Sequence, residues 1–342
     1  MVHIVDVGRM AQWIAASGAE ARIAGIAAAI ESDFFNWADF DKSPRLATHS
    51  RDGVIELMPT SNREYYGVKY VNGHPINPSR GLQTVVGMGI LADIETGYPL
   101  LISEMTLLTA LRTAATSALA ARHLARRDAT RMALIGTGSQ SEFQSLGFRA
   151  LLGINDLALW DTDPAALAKA ERNLLSLGFE VRVATSAADA VAGADIVTTC
   201  TADKALATVL MDEMVKPGMH LNAIGGDCPG KTELDPSILR RARIVVEYEP
   251  QTRIEGEIQN LPPGHEVTEL WRIIRREARG RVADEEITIF DSVGFAIEDF
   301  SALRYVRETL SADEVDTVDL LVSPEDPKDL FSLVSRTVVA RV

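Results

Sequence analysis

One stretch constrains this chain more than any other. It runs Met132-Ala133-Leu134-Ile135-Gly136-Thr137-Gly138-Ser139-Gln140-Ser141 and continues to Leu157-Ala158-Leu159-Trp160-Asp161. The apolar run at 132–135 suits a strand buried on both faces, and Gly136 and Gly138 let the backbone turn sharply and approach a ligand. Phe143, Leu146, Ala150 and Leu151 then recur at helical spacing. A helix therefore starts near Ser139 and Gln140, with its N–H groups and positive end facing the turn, which is a pyrophosphate site. A second strand ends at Asp161, about 20 residues past the glycines, where a carboxylate accepts both adenosine ribose hydroxyls and repels a 2′-phosphate. The stretch reads as a dinucleotide site favouring NAD over NADP. Ser141 stands where the usual fingerprint has a third glycine, which costs little if the position needs only a small side chain.

Downstream, strand candidates at 181–183, 195–200, 220–224, 244–248 and 287–290 alternate with helical stretches, the pattern of an α/β fold with a doubly wound parallel sheet of Rossmann type. Ligands of such sheets sit at the carboxyl ends of the strands, so Thr201, Gly225-Gly226-Asp227 and Asp291-Ser292-Val293 should converge on Gly138. Upstream, the Ala-rich segment 11–40 carries Ile14, Ile23, Ile26, Ile30 and Phe34 near helical spacing and reads as amphipathic helix. From 43 to 97 short alternating runs predict an antiparallel sheet, with a hairpin turn at 93–99 before Leu100–Ser103. The small residues of 107–127 predict a closely packed helix that carries the chain from the first domain into the second. The polar segment at 323–329 leads a tail that should return to the first domain.

A formal charge of -14 over 342 residues excludes nucleic acid and anionic membrane as partners of the general surface, so an anionic substrate must meet local cations. Cys200 and Cys228 are too few for a disulfide framework, and no Cys/His spacing suggests a metal, so each reads as a small core residue. The N-terminus lacks a basic start before an apolar core and no apolar run reaches membrane-spanning length, which makes a reducing cytoplasm the expectation.

Candidate chemistry is marked by charges that interrupt apolar patterns. Arg45 and Lys69 fall in strand patterns of the first domain, and Arg112 falls on a small, apolar helix face. Buried cations are costly unless paired, so either internal carboxylates neutralise these three or an anionic ligand such as a substrate carboxylate does. Glu56 interrupts Val54-Ile55-Glu56-Leu57-Met58 with the opposite sign; it suits a substrate ammonium, or a guard charge on an edge strand. Gly225 and Gly226 allow close backbone approach to a nicotinamide, and Asp227 beside them suits a general acid/base if partly buried, or a helix cap. The acidic run 247–259 reads as a solvated loop, or as a mouth that attracts a diamine. His49, His74 and His123 show no triad or metal spacing and read as structural.

Together, Lys42-Ser-Pro-Arg-Leu-Ala-Thr-His-Ser50, Val54-Ile-Glu-Leu-Met-Pro59, Lys69-Tyr-Val-Asn-Gly-His-Pro75, Ala110-Leu-Arg-Thr-Ala-Ala-Thr-Ser117, Gly225-Gly-Asp-Cys-Pro-Gly-Lys-Thr-Glu-Leu234 and Glu247-Tyr-Glu-Pro-Gln-Thr-Arg-Ile-Glu-Gly-Glu257 resemble the ornithine cyclodeaminase/mu-crystallin family over nearly the whole chain. The resemblance implies a Rossmann domain at 114–314 and a mixed α+β substrate and dimerisation domain built from 1–113 with 315–342, hence a homodimer. It implies a resident NAD and conversion of L-ornithine to L-proline with loss of ammonia. On it, Arg45, Lys69 and Arg112 would hold the substrate carboxylate, Glu56 the side-chain amine, and Asp227 would be the acid/base. Thr84, Arg112, Gly138, Ser139, Asp161, Thr201, Ile224 and Lys231 would line the NAD site, with Ser292 and Val293 closing it over the substrate. Two other outcomes stay open: a net NAD(P)-dependent amino-acid dehydrogenase or ketimine reductase, and a binding protein without turnover. Lysine or another diamino acid could replace ornithine, since one methylene is worth only about 1–3 kcal/mol of discrimination.

Overall fold

The computed structural model describes residues 1–202, 207–311 and 316–339. Its Ala-rich N-terminal segment is two helices rather than one run. Gly18, at φ 82°, closes α1 (Val7–Ser17) and opens α2 (Ala19–Phe35), and the pair bends by 97°. Ile23, Ile26, Ile30 and Phe34 form the buried stripe of α2. No single described helix is long and apolar enough to cross a membrane.

The first sheet contains β1 (Val2–Val5), β2 (Leu46–His49), β3 (Val54–Ser61), β4 (Tyr65–Gly73), β5 (Val85–Asp93) and β6 (Pro99–Glu104). Strands β2 to β6 form the antiparallel meander that the alternating pattern predicts. β1, too short for its periodicity to be read, adds parallel to β6. Helix α3 (Thr106–Leu124) leads away from this sheet almost wholly buried, and its small residues serve close packing: a Cβ on Gly147 would stand 2.8 Å from the Ala114 carbonyl oxygen.

The second sheet contains β7 (Arg131–Ile135), β8 (Asp156–Trp160), β9 (Glu180–Val183), β10 (Ile196–Thr199), β11 (His220–Ala223), β12 (Arg243–Val246), β13 (Thr268–Glu269) and β14 (Thr288–Asp291). Its strands are connected through α4 (Ser141–Leu152), α5 (Pro164–Ser176), α6 (Ala187–Val191), α7 (Pro236–Arg241), α8 (Glu249–Glu255) and α9 (Leu270–Ile274). Every pairing is parallel, in the order β13-β12-β14-β11-β10-β7-β8-β9, so the direction of winding reverses between β7 and β10. This is the Rossmann arrangement, and its ligand crevice lies at that reversal. Ile135 pairs with Trp160 and Thr199, Thr199 with Ala223, and Asp291 with Ala223 and Val246. Gly136, Asp161, Cys200, Ile224, Glu247 and Ser292 therefore stand one residue further along, on a common rim.

After β14 the chain crosses back: α10 (Ala296–Thr309) packs on β3, β4, β5 and α2. β15 (Asp316–Val318) then pairs antiparallel with β1, which returns the tail to the first sheet as expected. Trp37, after α2, stacks on Trp271 at 5.8 Å between ring centroids and meets Phe295 at 5.6 Å, an aromatic seam between the two sheets' layers.

Candidate active site

The glycine turn is built as its sequence requires. Gly136 adopts φ 99°, and a Cβ there would stand 2.8 Å from the Cys200 backbone, so only glycine fits. Gly138 is the opposite case: a Cβ would meet nothing within 4 Å, and Gly138 and Ser139 are exposed. No side chain caps α4 at Gln140, which leaves its positive end facing that open side. The Ser141 hydroxyl donates to the Gly138 carbonyl at 2.9 Å, so the missing third glycine is replaced by a tie across the turn. Asp161 accepts the Thr137 N–H at 2.6 Å, the Thr137 hydroxyl at 2.9 Å and the Asp163 N–H at 2.9 Å. These contacts orient its carboxylate beside the turn. Open space, an uncapped helix end and an oriented carboxylate fit a dinucleotide. Thr137 and Lys169 were not legible as participants. Lys169 Nζ lies 3.0 Å from the Gly138 carbonyl and 2.9 Å from Glu142, yet in sequence it is one more lysine on an amphipathic helix.

At the neighbouring strand ends the structure adds to one expectation and corrects another. Gly225 and Gly226 make room for protein carboxylates, since Cβ atoms there would stand 2.1 Å from Glu233 Oε1 and 2.6 Å from Glu257 Oε1. The acidic run is not a solvated loop: Glu247, Glu255 and Glu257 are buried. Each buried acid organises a loop by accepting its N–H groups. Glu233 takes Thr201 at 2.8 Å, Glu257 takes Glu233 and Leu234 at 2.7 and 3.1 Å, and Asp291 takes Glu257 and Ile258, both at 2.9 Å. Glu247 accepts the Ser292 hydroxyl at 2.5 Å and the Gly294 N–H at 3.1 Å. Burial raises the pKa of Glu257 well above the carboxylate range and that of Asp291 to about 7. Neither cysteine is in a disulfide and both are half-buried; Cys200 packs against the main core as expected, with Sγ 3.1 Å from the Gly136 carbonyl.

Lys231, readable as a surface charge, is buried, with Nζ 3.2 Å from Asp227 Oδ1 and 3.3 Å from the Thr201 carbonyl. Burial opposes its charge, but Asp227 and Glu233 raise its pKa on balance. Asp227 itself keeps 52% of its side chain exposed, so it borders open space rather than capping a helix. Ile224 is half-buried on the rim, its N–H donating to the Thr199 carbonyl at 3.0 Å. Thr84 is not joined to this rim by any hydrogen bond among the described residues; its carbonyl accepts the His74 N–H within the first sheet.

The three interrupting cations are brought together, and internal carboxylates answer all of them. Lys69 Nζ stands 2.7 Å from Asp299; Arg112 stands 2.6 Å from Glu298 through Nη1 and 2.9 Å from Asp299 through Nε. Arg45 lies immediately before β2 rather than within a strand. It hydrogen-bonds Glu56 at 3.0 Å, approaches Glu255 at 3.1 Å, and donates to the carbonyls of Val293 at 2.5 Å and Gly294 at 2.8 Å. This one guanidinium ties the edge of the first sheet to α8 and to the turn after β14. Glu56 is buried, which rules out a guard charge in solvent. Burial, then Arg112, lower Lys69 to about 8 against the pull of Asp299, while burial pushes Glu298 up to about 8. Among the described residues no group of three or more His, Cys, Asp or Glu side chains is arranged to hold a metal ion.

The fold and this site define a Rossmann-type dinucleotide-binding protein with a second, charge-lined centre where its two sheets meet. The chain belongs to the ornithine cyclodeaminase/mu-crystallin family, whose sequence profile matches residues 9–314. It is 56% identical over 337 residues to an ornithine cyclodeaminase of Agrobacterium fabrum, covering 98% of this chain and 95% of that relative. Among solved structures it is similar to a lysine cyclodeaminase described for its recognition of L-lysine, L-ornithine and L-2,4-diaminobutyric acid, at TM-score 0.91, 31% identity and coverage of 97% and 99%. It is also similar to an archaeal alanine dehydrogenase dimer with bound NAD, at TM-score 0.85, 32% identity and coverage of 94% and 99%.

Proposed function

We propose that the protein converts L-ornithine to L-proline and ammonia with NAD used catalytically. The observation that carries this reading is the separation of charge in the buried centre. Lys69 and Arg112 share Asp299, and burial raises the pKa of the remaining partner, Glu298, which weakens it as an anion and leaves a positive end for a carboxylate. Glu56, Glu255 and Asp227 all act on Arg45, and Lys231 answers only Asp227 among them, which leaves a negative end for an ammonium. A diamino acid needs both ends, and an amino acid with an apolar side chain needs only one. The relatives named for ornithine and lysine cyclodeamination support the same substrate class.

In this reading Lys69 and Arg112 clamp the substrate carboxylate, assisted by Arg45, and Glu56 holds the side-chain amine. NAD, held by Gly136, Gly138, Ser139, Gln140, Asp161, Thr201, Ile224, Gly225, Gly226, Lys231 and Ser292, with Thr84 and Arg112, supplies a hydride acceptor and donor at Cα, so the reaction is redox-neutral overall. Asp227, half-exposed and oriented by Lys231, donates the proton with which ammonia leaves. Val293 packs at the same turn and, with Ser292, shields the site from water.

The division into a substrate unit of 1–113 with 315–342 and a cofactor unit of 114–314 is part of the proposal, with α10 lent by the second to the first. So is a homodimer through the open face of the first sheet. There Leu46, Leu57, Tyr70 and Met88 are exposed and lie side by side across β2 to β5. Two cysteines outside any disulfide suit a reducing cytoplasm. The test is to incubate the purified protein with NAD and L-ornithine and no reductant. Proline and ammonia in equal amounts support the reading; net formation of NADH, or no product, overturns it.

A further inference from the structure

The carboxylate of Glu255 has so far only lent charge to the negative end of the site. It sits at the end of α8, buried, with Oε2 3.1 Å from Arg45 Nε, yet that contact lacks hydrogen-bond geometry and neither atom has a hydrogen-bond partner. The other acids around Arg45 are committed: Glu56 takes Arg45 Nη1 at 3.0 Å, and Asp227 takes Lys231 Nζ at 3.2 Å. The charged groups acting on Glu255 are Arg45, Glu56 and Asp227. Burial raises its pKa to about 7, with Arg45 opposing and Glu56 and Asp227 adding to the rise.

Cyclisation has a requirement that Glu56 and Asp227 leave unmet. A primary amine with a pKa of about 10.4 is an ammonium at neutral pH and has no lone pair with which to attack. Asp227 is needed at the other nitrogen, where ammonia departs, and Glu56 is fixed by its hydrogen bond to Arg45. Resting on the proposed cyclodeamination, we propose that Glu255 is the general base that takes the proton from the substrate's side-chain ammonium before ring closure. One N–H bond breaks and one O–H bond forms on Glu255. The freed lone pair makes the ring C–N bond, and the second proton of the ring nitrogen passes through Asp227 to the departing amine. A base poised near neutral pH, within the pocket that holds the ammonium, is what this transfer calls for.

The experiment compares wild type, Glu255→Gln and Glu255→Asp, each loaded with NAD, after wild type has been shown to form proline. In Glu255→Gln, proline formation at neutral pH should fall by roughly 10²–10⁴-fold. It should then climb about tenfold per pH unit toward the amine's own pKa of about 10.4, because the solvent now supplies the free amine. Wild type should level off above about pH 7. Reduced nicotinamide should accumulate in Glu255→Gln with ornithine, because oxidation at Cα does not need the second amine. Glu255→Asp keeps a base and should retain the wild-type pH profile at a lower rate, so a folding defect in the Gln variant does not remove the test. If Glu255→Gln keeps the wild-type profile and loses Cα oxidation and proline formation together through a raised KM, Glu255 only positions Arg45 and the assignment is overturned. Wild type that forms no proline would overturn the proposed function instead.

Discussion

Asp299 serves two cations at once: its carboxylate stands 2.7 Å from Lys69 Nζ and 2.9 Å from Arg112 Nε. Both cations are buried, so each depends on that shared charge, and removing it leaves two like charges facing each other away from water. Breaking one member of a buried ion-pair set costs about 3–5 kcal/mol. Asp299→Asn should therefore lower the thermal midpoint, and ornithine should restore part of the loss because its carboxylate replaces the missing anion. A loss that ornithine leaves unchanged would separate this cluster from the substrate site.

Arg112 meets Glu298 and Asp299 through different nitrogens, a fork that a lysine cannot reproduce. Arg112→Lys keeps the charge and should still fold, but turnover should fall by a hundredfold or more, on the order of a lost charge-assisted contact pair. Normal turnover would remove Arg112 from the carboxylate clamp.

Asp161 presents its carboxylate at the glycine turn, held by Thr137. Asp161→Ala should weaken NAD binding and narrow the preference over NADP, since the acid that repels a 2′-phosphate is gone. Thr137→Val should weaken NAD less, by loosening the carboxylate. Fluorescence titration with both nucleotides checks this, and unchanged affinities would take Asp161 out of the site.

The glycine turn was legible because its signals are local: an apolar run, two glycines and an acid at a fixed distance. Lys69, Arg112 and Glu56 were legible as interruptions of apolar patterns. Their partners were not. Lys69 and Asp299 are 230 residues apart, and Glu298 and Asp299 sit in the first turn of a helix, where acids are ordinary. Glu247, Glu255 and Glu257 looked solvated because charge density signals solvent unless a loop's N–H groups are brought to each carboxylate, and only the tertiary fold brings them. Gly18 breaks the N-terminal helix for a similar reason: glycine is tolerated within a helix, and packing decides whether it bends.

His220 is fully buried in β11 with Nδ1 3.0 Å from the Thr288 hydroxyl, and burial, then Arg281, push its pKa down to about 3. An unfolded chain would protonate it near 6.5, so the unfolded state gains the proton first as pH falls. The contribution of neutral His220 is thus complete above about pH 6.5 and is lost toward pH 3, at about 1.4 kcal/mol per unit. His220→Gln should flatten that part of the stability profile. Urea midpoints of wild type and variant that shift in parallel between pH 7 and pH 5 would count against it.

The mechanism can be followed by labels, because hydride leaves and returns to one carbon while the two nitrogens part. Ornithine carrying deuterium at Cα should give proline that retains it, since a hydride kept on a sequestered nicotinamide does not exchange with water. Ornithine with nitrogen-15 on the α-amine should release labelled ammonia, because the side-chain nitrogen is the nucleophile that stays in the ring. Asp227→Asn cannot supply the departing proton. It should slow turnover by roughly 10²–10⁴-fold while NAD still binds, because Lys231 keeps its contact with the Thr201 carbonyl. Deuterium lost to solvent would break the closed hydride cycle, and unlabelled ammonia would mean that Glu56 and Asp227 face the wrong ends of the substrate.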